Sequence, residues 1–207
     1  MRELLLGTAA VDARVAIGPI GVEDRGRRGH PRFAIRPYPT EWERYVGLRD
    51  GMAVFIRPIR PEDEHLYQRF LAGVTPQDLR LRFFSTVKTL NHAFIARFTQ
   101  IDYARAMAFI AIDEFTGQML GVVGLHANAT FEKGEYAILV RSDLKGRGLG
   151  WLLMQTIIEY ARAEGLRLLE GQVLNENRTM LAMCREFGFA VKVDGGDPSL
   201  CDVRLSL

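Results

Sequence analysis

From Gly51 onward the chain switches repeatedly between two hydrophobic periods, and the switches mark out its elements. Val54-Phe55-Ile56-Arg57-Pro58-Ile59 is a short apolar run closed by Arg60-Pro61-Glu62-Asp63, and reads as a strand ending in a turn. Pro61 with acids after it marks a helix start, carried forward by Leu66, Phe70 and Leu71. Thr75-Pro76 opens a second helix through Leu79 to Phe83. Asn91 to Phe98 gives a third, with Phe94, Ile95 and Phe98 on one face. Met107 to Ile112, Met119 to Leu125 and Tyr136 to Val140 are β-rich runs joined by connections of hairpin length. A helix from Leu149 to Glu164 follows, with Leu149, Leu152, Leu153, Thr156, Ile157, Tyr160 and Ala161 on one stripe and Gly165 as its stop. Leu168 to Leu174 reads as a buried strand and Met180 to Phe187 as a short helix ended by Gly188. Two last strands lie around Val191 and Val203. Strand, helices, antiparallel meander, helix, strand, helix, strands is an α+β order built round a mixed central sheet flanked by helices.

The first fifty residues have another texture. Residues 12–17 alternate like a strand with nothing nearby to pair with. Gly18 to Pro39 is rich in Gly, Pro and Arg and holds little that could build a core. The expected organisation is a remnant of a preceding domain over 1–20, a linker over 21–50 and one folded domain over 51–207. A chain trimmed to start near Arg49 should then keep its fold and its chemistry.

Composition narrows the class without choosing within it. A net charge of +2 over 207 residues is too small to argue for nucleic acid. Two cysteines, Cys184 and Cys201, make no disulfide framework. The histidines His30, His65, His92 and His126 are scattered without metal-ligand spacing, so no metal is expected. No apolar stretch approaches a membrane span. Leu4 to Val11 is followed by Asp12 and Arg14 rather than by a cleavage pattern, so a cytoplasmic protein is expected.

The segment with the most chemical content is Lys145-Gly146-Arg147-Gly148-Leu149-Gly150, between the strand Tyr136–Val140 and the helix that begins at Leu149. Glycines let a turn aim several backbone N–H groups at one anion, and the helix N-terminus adds partial positive charge. No acid lies between Lys145 and Gln155, so no carboxylate is expected to compete for that place. The Walker pattern is absent, and G-x-G-x-x-G fails because Leu153 stands where its third glycine belongs. Read alone, such a turn is either a phosphate loop or only a tight connection.

The segment resembles (Q/R)-x-x-G-x-(G/A), the pyrophosphate loop of the GNAT superfamily of N-acetyltransferases. Lys145 stands where Gln or Arg is usual, with Gly148 and Gly150 in register. Asn177-Arg178-Thr179-Met180, Cys184 and Gly188-Phe189 resemble the superfamily's C-terminal pattern N-x-x-A-x-x-x-Y-x-x-x-G-F, with Met180 for the alanine and Cys184 for the tyrosine. Arg57 to Asp63, Leu79 to Phe84, Gln100 to Tyr103 and Gly134 to Ala137 resemble the bacterial protein-lysine acetyltransferases that modify AMP-forming acyl-CoA synthetases. In large members of that family the acetyltransferase domain follows an ADP-forming acyl-CoA synthetase-like region, and residues 10–15 resemble the closing strand of its ATP-grasp part.

The resemblance implies the GNAT fold over 51–207 and acetyl-CoA as co-substrate. It implies a cofactor site formed by Ile138, Leu139, Val140, Lys145, Gly146, Arg147, Gly148, Leu149, Gly150, Asn177 and Cys184. It also implies a protein acceptor, with an AMP-forming acyl-CoA synthetase as the partner. Acetyl transfer to lysine needs a neutral amine, and a free lysine, with a pKa of about 10.4, is almost wholly charged near neutral pH. Glu135 is the leading general base, since it opens the strand that runs to the loop, roughly 15–20 Å away. Read bare, it is equally a solvated strand-end acid; related enzymes place their base at this position. Glu170 and Glu176 are the next candidates. Asn177 serves a pantetheine arm, a helix N-cap, or both; Cys184 stands where many relatives carry a tyrosine acid, yet a helical cysteine commonly only packs. The arginines of the Leu79–Phe84 segment read as a solvated basic face or a contact for an acidic partner. Rival readings are a small-amine acetyltransferase, which an acidic narrow acceptor pocket would support, and a non-catalytic acyl-CoA sensor, which would need no base.

Overall fold

A computed structural model describes residues 36–85 and 91–207. The orphan strand and the remnant and linker expected over 1–35 lie outside the described residues. Eight strands form one sheet: β1 (Arg44–Gly47), β2 (Ala53–Pro58), β3 (Ala106–Asp113), β4 (Met119–Ala127), β5 (Lys133–Val140), β6 (Leu168–Leu174), β7 (Ala190–Val193) and β8 (Leu200–Ser206), in spatial order β1-β2-β3-β4-β5-β6-β8-β7. Every neighbouring pair is antiparallel except β5 and β6. This is the mixed sheet the element order predicts.

Helices cover both faces. On one, α1 (Glu64–Ala72), α2 (Pro76–Phe83) and α3 (His92–Thr99) enclose Ile59, Tyr67, Phe70, Leu71 and Ile95 against Ala108, Ile110 and Val122 of the sheet. On the other, α4 (Leu149–Ala163) and α5 (Arg178–Glu186) enclose Leu153, Met154, Ile157, Leu181 and Cys184 against Val54, Ile56, Phe109 and Val123. β3 lies inside both clusters, which is why its sequence reads as an unbroken apolar run instead of alternating. The caps follow local chemistry: the Thr75 and Asn91 side chains accept from the backbone N–H groups of Asp78 and Phe94.

The Arg57-to-Asp63 motif turns out to be structural. Arg57 and Asp63 are 7% and 4% exposed and form a two-pronged ion pair of 2.7 and 2.6 Å, and the Arg60 N–H also donates to Asp63 at 2.7 Å. The pair ties the end of β2 to the start of α1. Asp63→Asn should therefore cost about 3–5 kcal/mol in urea unfolding, because it leaves the Arg57 charge buried without its counterion.

The sheet starts earlier than expected. β1 falls inside the stretch read as linker and pairs with β2 from Arg44↔Ile56 to Gly47↔Ala53. Just before it, Trp42 packs edge-on against Tyr160 (5.2 Å between centroids) and tilted on Phe109 (5.7 Å). Arg36 pairs with Glu164 at 2.9 Å, and Arg44 with Glu159 at 2.8 Å. The sequence signal was weak because four strand residues next to glycines and prolines have no period to read. Trimming to Arg49 now carries a different expectation. Trp42→Ala should lower stability by about 2–4 kcal/mol, and the trimmed chain should lose more, both read from denaturant midpoints.

Among the described residues, no helix is long and apolar enough to cross a membrane.

Candidate active site

β5 and β6 pair in parallel over three residues, Lys133↔Leu168, Gly134↔Leu169 and Glu135↔Glu170, and then part. Beyond that point β5 keeps its antiparallel partner β4, from Leu125↔Tyr136 to Gly121↔Val140, but β6 has moved away. The wedge between them is a cleft of about 790 Å³. Residues 135–140 of β5 form one wall and Gln172, Val173, Glu176 and Asn177 the other, with Lys145, Gly146, Gly148 and Gly150 at the loop end. At the parting point Gly171 has a steric role: a Cβ there would come within 3.0 Å of the Tyr136 ring and 3.3 Å of the Tyr136 carbonyl oxygen.

At the loop end the chain turns through Gly146 (φ +79°) and Gly148 (φ +91°), a region that side chains rarely adopt. Among the described residues nothing lies within 4 Å of where either Cβ would stand, so backbone conformation and not crowding demands glycine. Gly148 is the N-cap of α4 and supplies no side-chain cap; its carbonyl accepts from Leu152 at 3.0 Å. The N–H groups of the first turn thus face the loop without a side-chain acceptor. Leu149 is buried in the core, so only its backbone belongs to the site.

The expectation that no carboxylate competes for the loop is overturned, because acids distant in sequence reach it in space. Lys145 pairs with Asp78 of α2, and Arg147 pairs with Asp50 from the turn between β1 and β2. Ser142 also donates to Asp78. Burial would push the Asp78 carboxyl up, but hydrogen bonds from Lys145, Ser142 and Thr75 outweigh it and hold it below its ordinary value. Arg147 does not line the cleft, whereas Lys145 does.

At the other end Glu135 is exposed and lines the cleft. Glu170 stands directly opposite it in register but outside the cleft, 3.7 Å from Arg204. Glu176 lines the cleft but pairs with Arg80. The Asn177 side chain accepts from Met180 N–H at 3.2 Å as the cap of α5 and still lines the cleft, so both of its readings stay open.

Cys184 is not brought to the site. It is fully buried, with its sulfur 3.2 Å from the Tyr136 hydroxyl, and burial pushes its thiol up. Burial first, and then the neighbouring Cys184, also push the Tyr136 phenol well above its ordinary value. Both groups stay protonated at neutral pH.

α2 is the element that sequence reasoning underrated. It lies across the wedge, with Asp78, Leu81, Arg82 and the following Phe84 in the lining, anchored by Asp78–Lys145 on one side and Arg80–Glu176 on the other. Its alternating arginines are therefore not a solvated basic face. The only available signal was that alternation, which a helix does not require. Trp151 also lines the cleft, stacked on Phe187 at 4.0 Å.

Residues 77–189 match the acetyltransferase (GNAT) family. An acetyltransferase of Pseudomonas aeruginosa is 32% identical over 162 residues, spanning 77% of this chain and 87% of that protein. Acetyltransferase Pat of Mycolicibacterium smegmatis is 27% identical over 159 residues, spanning 74% of this chain but 44% of that protein. The solved GNAT domain of S. lividans PAT superposes with a TM-score of 0.76 at 27% identity, over 83% of this chain and 100% of that one. The matched span runs from α2 to just past α5 and so takes in both walls of the cleft and its loop: the chain belongs to the acetyltransferase (GNAT) family.

Proposed function

We propose that this chain is an acetyl-CoA-dependent protein N-ε-lysine acetyltransferase that transfers directly within a ternary complex, with Glu135 as general base. The observation that carries the reading is the parting of β5 from β6, because a carboxylate and an uncapped helix N-terminus then stand at opposite ends of one cleft. A protein acceptor is supported by the likeness to Pat and to the S. lividans PAT domain, and an AMP-forming acyl-CoA synthetase by the sequence resemblance.

The residues fit the donor. Backbone N–H groups over 145–150 would take the pyrophosphate, and no side chain of the described residues fills the space beside Gly146 and Gly148. The open edge of β5 at Ile138, Leu139 and Val140 offers ladder groups to the amides of a pantetheine arm, and the Asn177 amide faces them from the other wall. When bound, the donor supplies an acyl group on a thiol leaving group. Glu135 takes a proton from the lysine ammonium, the neutral amine forms the new C–N bond, the C–S bond breaks, and the second proton on nitrogen passes to water or to the departing thiolate. The thiolate, with a pKa of about 8.5, leaves unprotonated or takes a proton from water. The buried Cys184 is not available as a dedicated acid. Incubation with labelled acetyl-CoA and candidate synthetases, followed by mapping of any modified lysine, tests the acceptor class.

Two variants test the two ends of the cleft. Gly148→Val forces a β-branched residue into a positive-φ position at the anion site, and should weaken acetyl-CoA binding about tenfold or more by calorimetry. Unchanged affinity would remove the loop from donor binding. Glu135→Gln keeps shape and removes basicity, so the rate near pH 7 should fall by about 10²–10⁴-fold while acetyl-CoA affinity holds. The variant should recover partly toward pH 10, where lysine (pKa about 10.4) deprotonates unaided. A wild-type rate for this variant near pH 7 would put the base elsewhere, with Glu170 next in line.

A further inference from the structure

Of the cations around the cleft, only Arg82 and the exposed Arg178 have no carboxylate partner among the described residues. Lys145 is paired with Asp78, Arg147 with Asp50 and Arg80 with Glu176. Arg82, in the last turn of α2, lines the same cleft, is half-buried, and has no hydrogen bond or ion pair with any described residue. What it has is the face of Phe83, 4.9 Å from the guanidinium carbon to the ring centroid. Burial pushes its pKa down, and Tyr67 and Glu135, the acidic groups within electrostatic range, work the other way without touching it.

A half-buried guanidinium with no protein acceptor keeps its N–H donors available, and a fork of that shape suits a planar pair of oxygens. The direction of α2 says which end of the cleft this fork serves. Asp78 sits at the phosphate loop, and Arg82 lies one helical turn further on, toward Glu135. The donor's phosphates are therefore not its partner; it faces the acceptor.

We infer that Arg82 forms an anion subsite in the acceptor half of the cleft, and that the preferred acceptor amine carries a carboxylate close beside it. For a protein acceptor this means a lysine flanked by an aspartate or glutamate. The inference rests on the proposed transfer with Glu135 as base. Glu135 meets the ammonium while Arg82 holds the carboxylate in two parallel hydrogen bonds, so a pair of opposite charges fixes the amine's direction of approach.

The test compares acceptors in matched pairs: lysine peptides that differ only in Asp or Asn beside the lysine, and a free amino acid against its carboxamide. The wild type should favour the carboxylate member of each pair about ten- to a hundredfold in kcat/KM, chiefly through KM. Arg82→Met should erase the preference while the melting temperature and acetyl-CoA Kd hold, and Arg82→Lys should keep part of it. A wild type that does not distinguish the pairs overturns the subsite. So does an Arg82→Met protein that slows both members equally, since Arg82 would then act through Glu135 or the fold. Acetylation confined to free amino acids, with an Arg82-dependent carboxylate preference, upholds the subsite and removes the protein-acceptor reading.

Discussion

Parallel strands that begin to pair continue to do so unless something holds them apart, because each added residue satisfies another backbone donor and acceptor. β5 and β6 stop after three pairs. The parting begins where the Tyr136 ring lies against Gly171, a contact that leaves no room for a Cβ on β6. The same ring reaches through to Cys184 on α5 and packs on Phe189, 5.4 Å away, so the wedge is braced from the core. Past that point one edge of β5 has no strand to meet. The glycine-rich loop, the capped start of α5 and the helix laid across the wedge are all arranged around that open edge.

The electrostatics of the cleft follow from how it is bridged. The loop's two cations do not stand free for an anion; each is shared with an acid from a distant segment. The Asp78 pair has a mechanical consequence, since it joins the loop to α2, the helix that walls the cleft. Anything that draws Lys145 away must weaken that tie, so the loop and α2 are physically linked. The Arg80–Glu176 pair, half exposed on both sides, adds little energy of its own but spans the mouth from α2 to the β6–α5 connection.

Much of this was legible along the chain because it depends on local rules. Period-2 and period-3.6 runs located the β3–β5 meander, the α4 stripe and β6 close to their observed limits. The loop was legible because glycine at positive φ and a strand-to-helix turn leave a mark in six consecutive residues. Asn177 was legible as a cap, whereas Glu135, read as opening its strand, is the third residue of β5, which begins at Lys133. β1 escaped because its pairing is set by β2 and its burial by Trp42 against Phe109 and Tyr160, none of which a four-residue window contains.

The sequence by itself determined which segments are strand or helix and which one turn can bind an anion, since propensity, period and backbone conformation act within a few residues. Only the tertiary structure decided that β5 and β6 part after three pairs, because how far two strands pair is set by contacts between segments distant in the chain. It likewise decided that Asp78 and Asp50 neutralise the loop's cations, that Cys184 faces the core, and that α2 brings Arg82 to the cleft unpaired. Those outcomes join residues up to 97 positions apart, and charge pairing and burial are properties of distance in space.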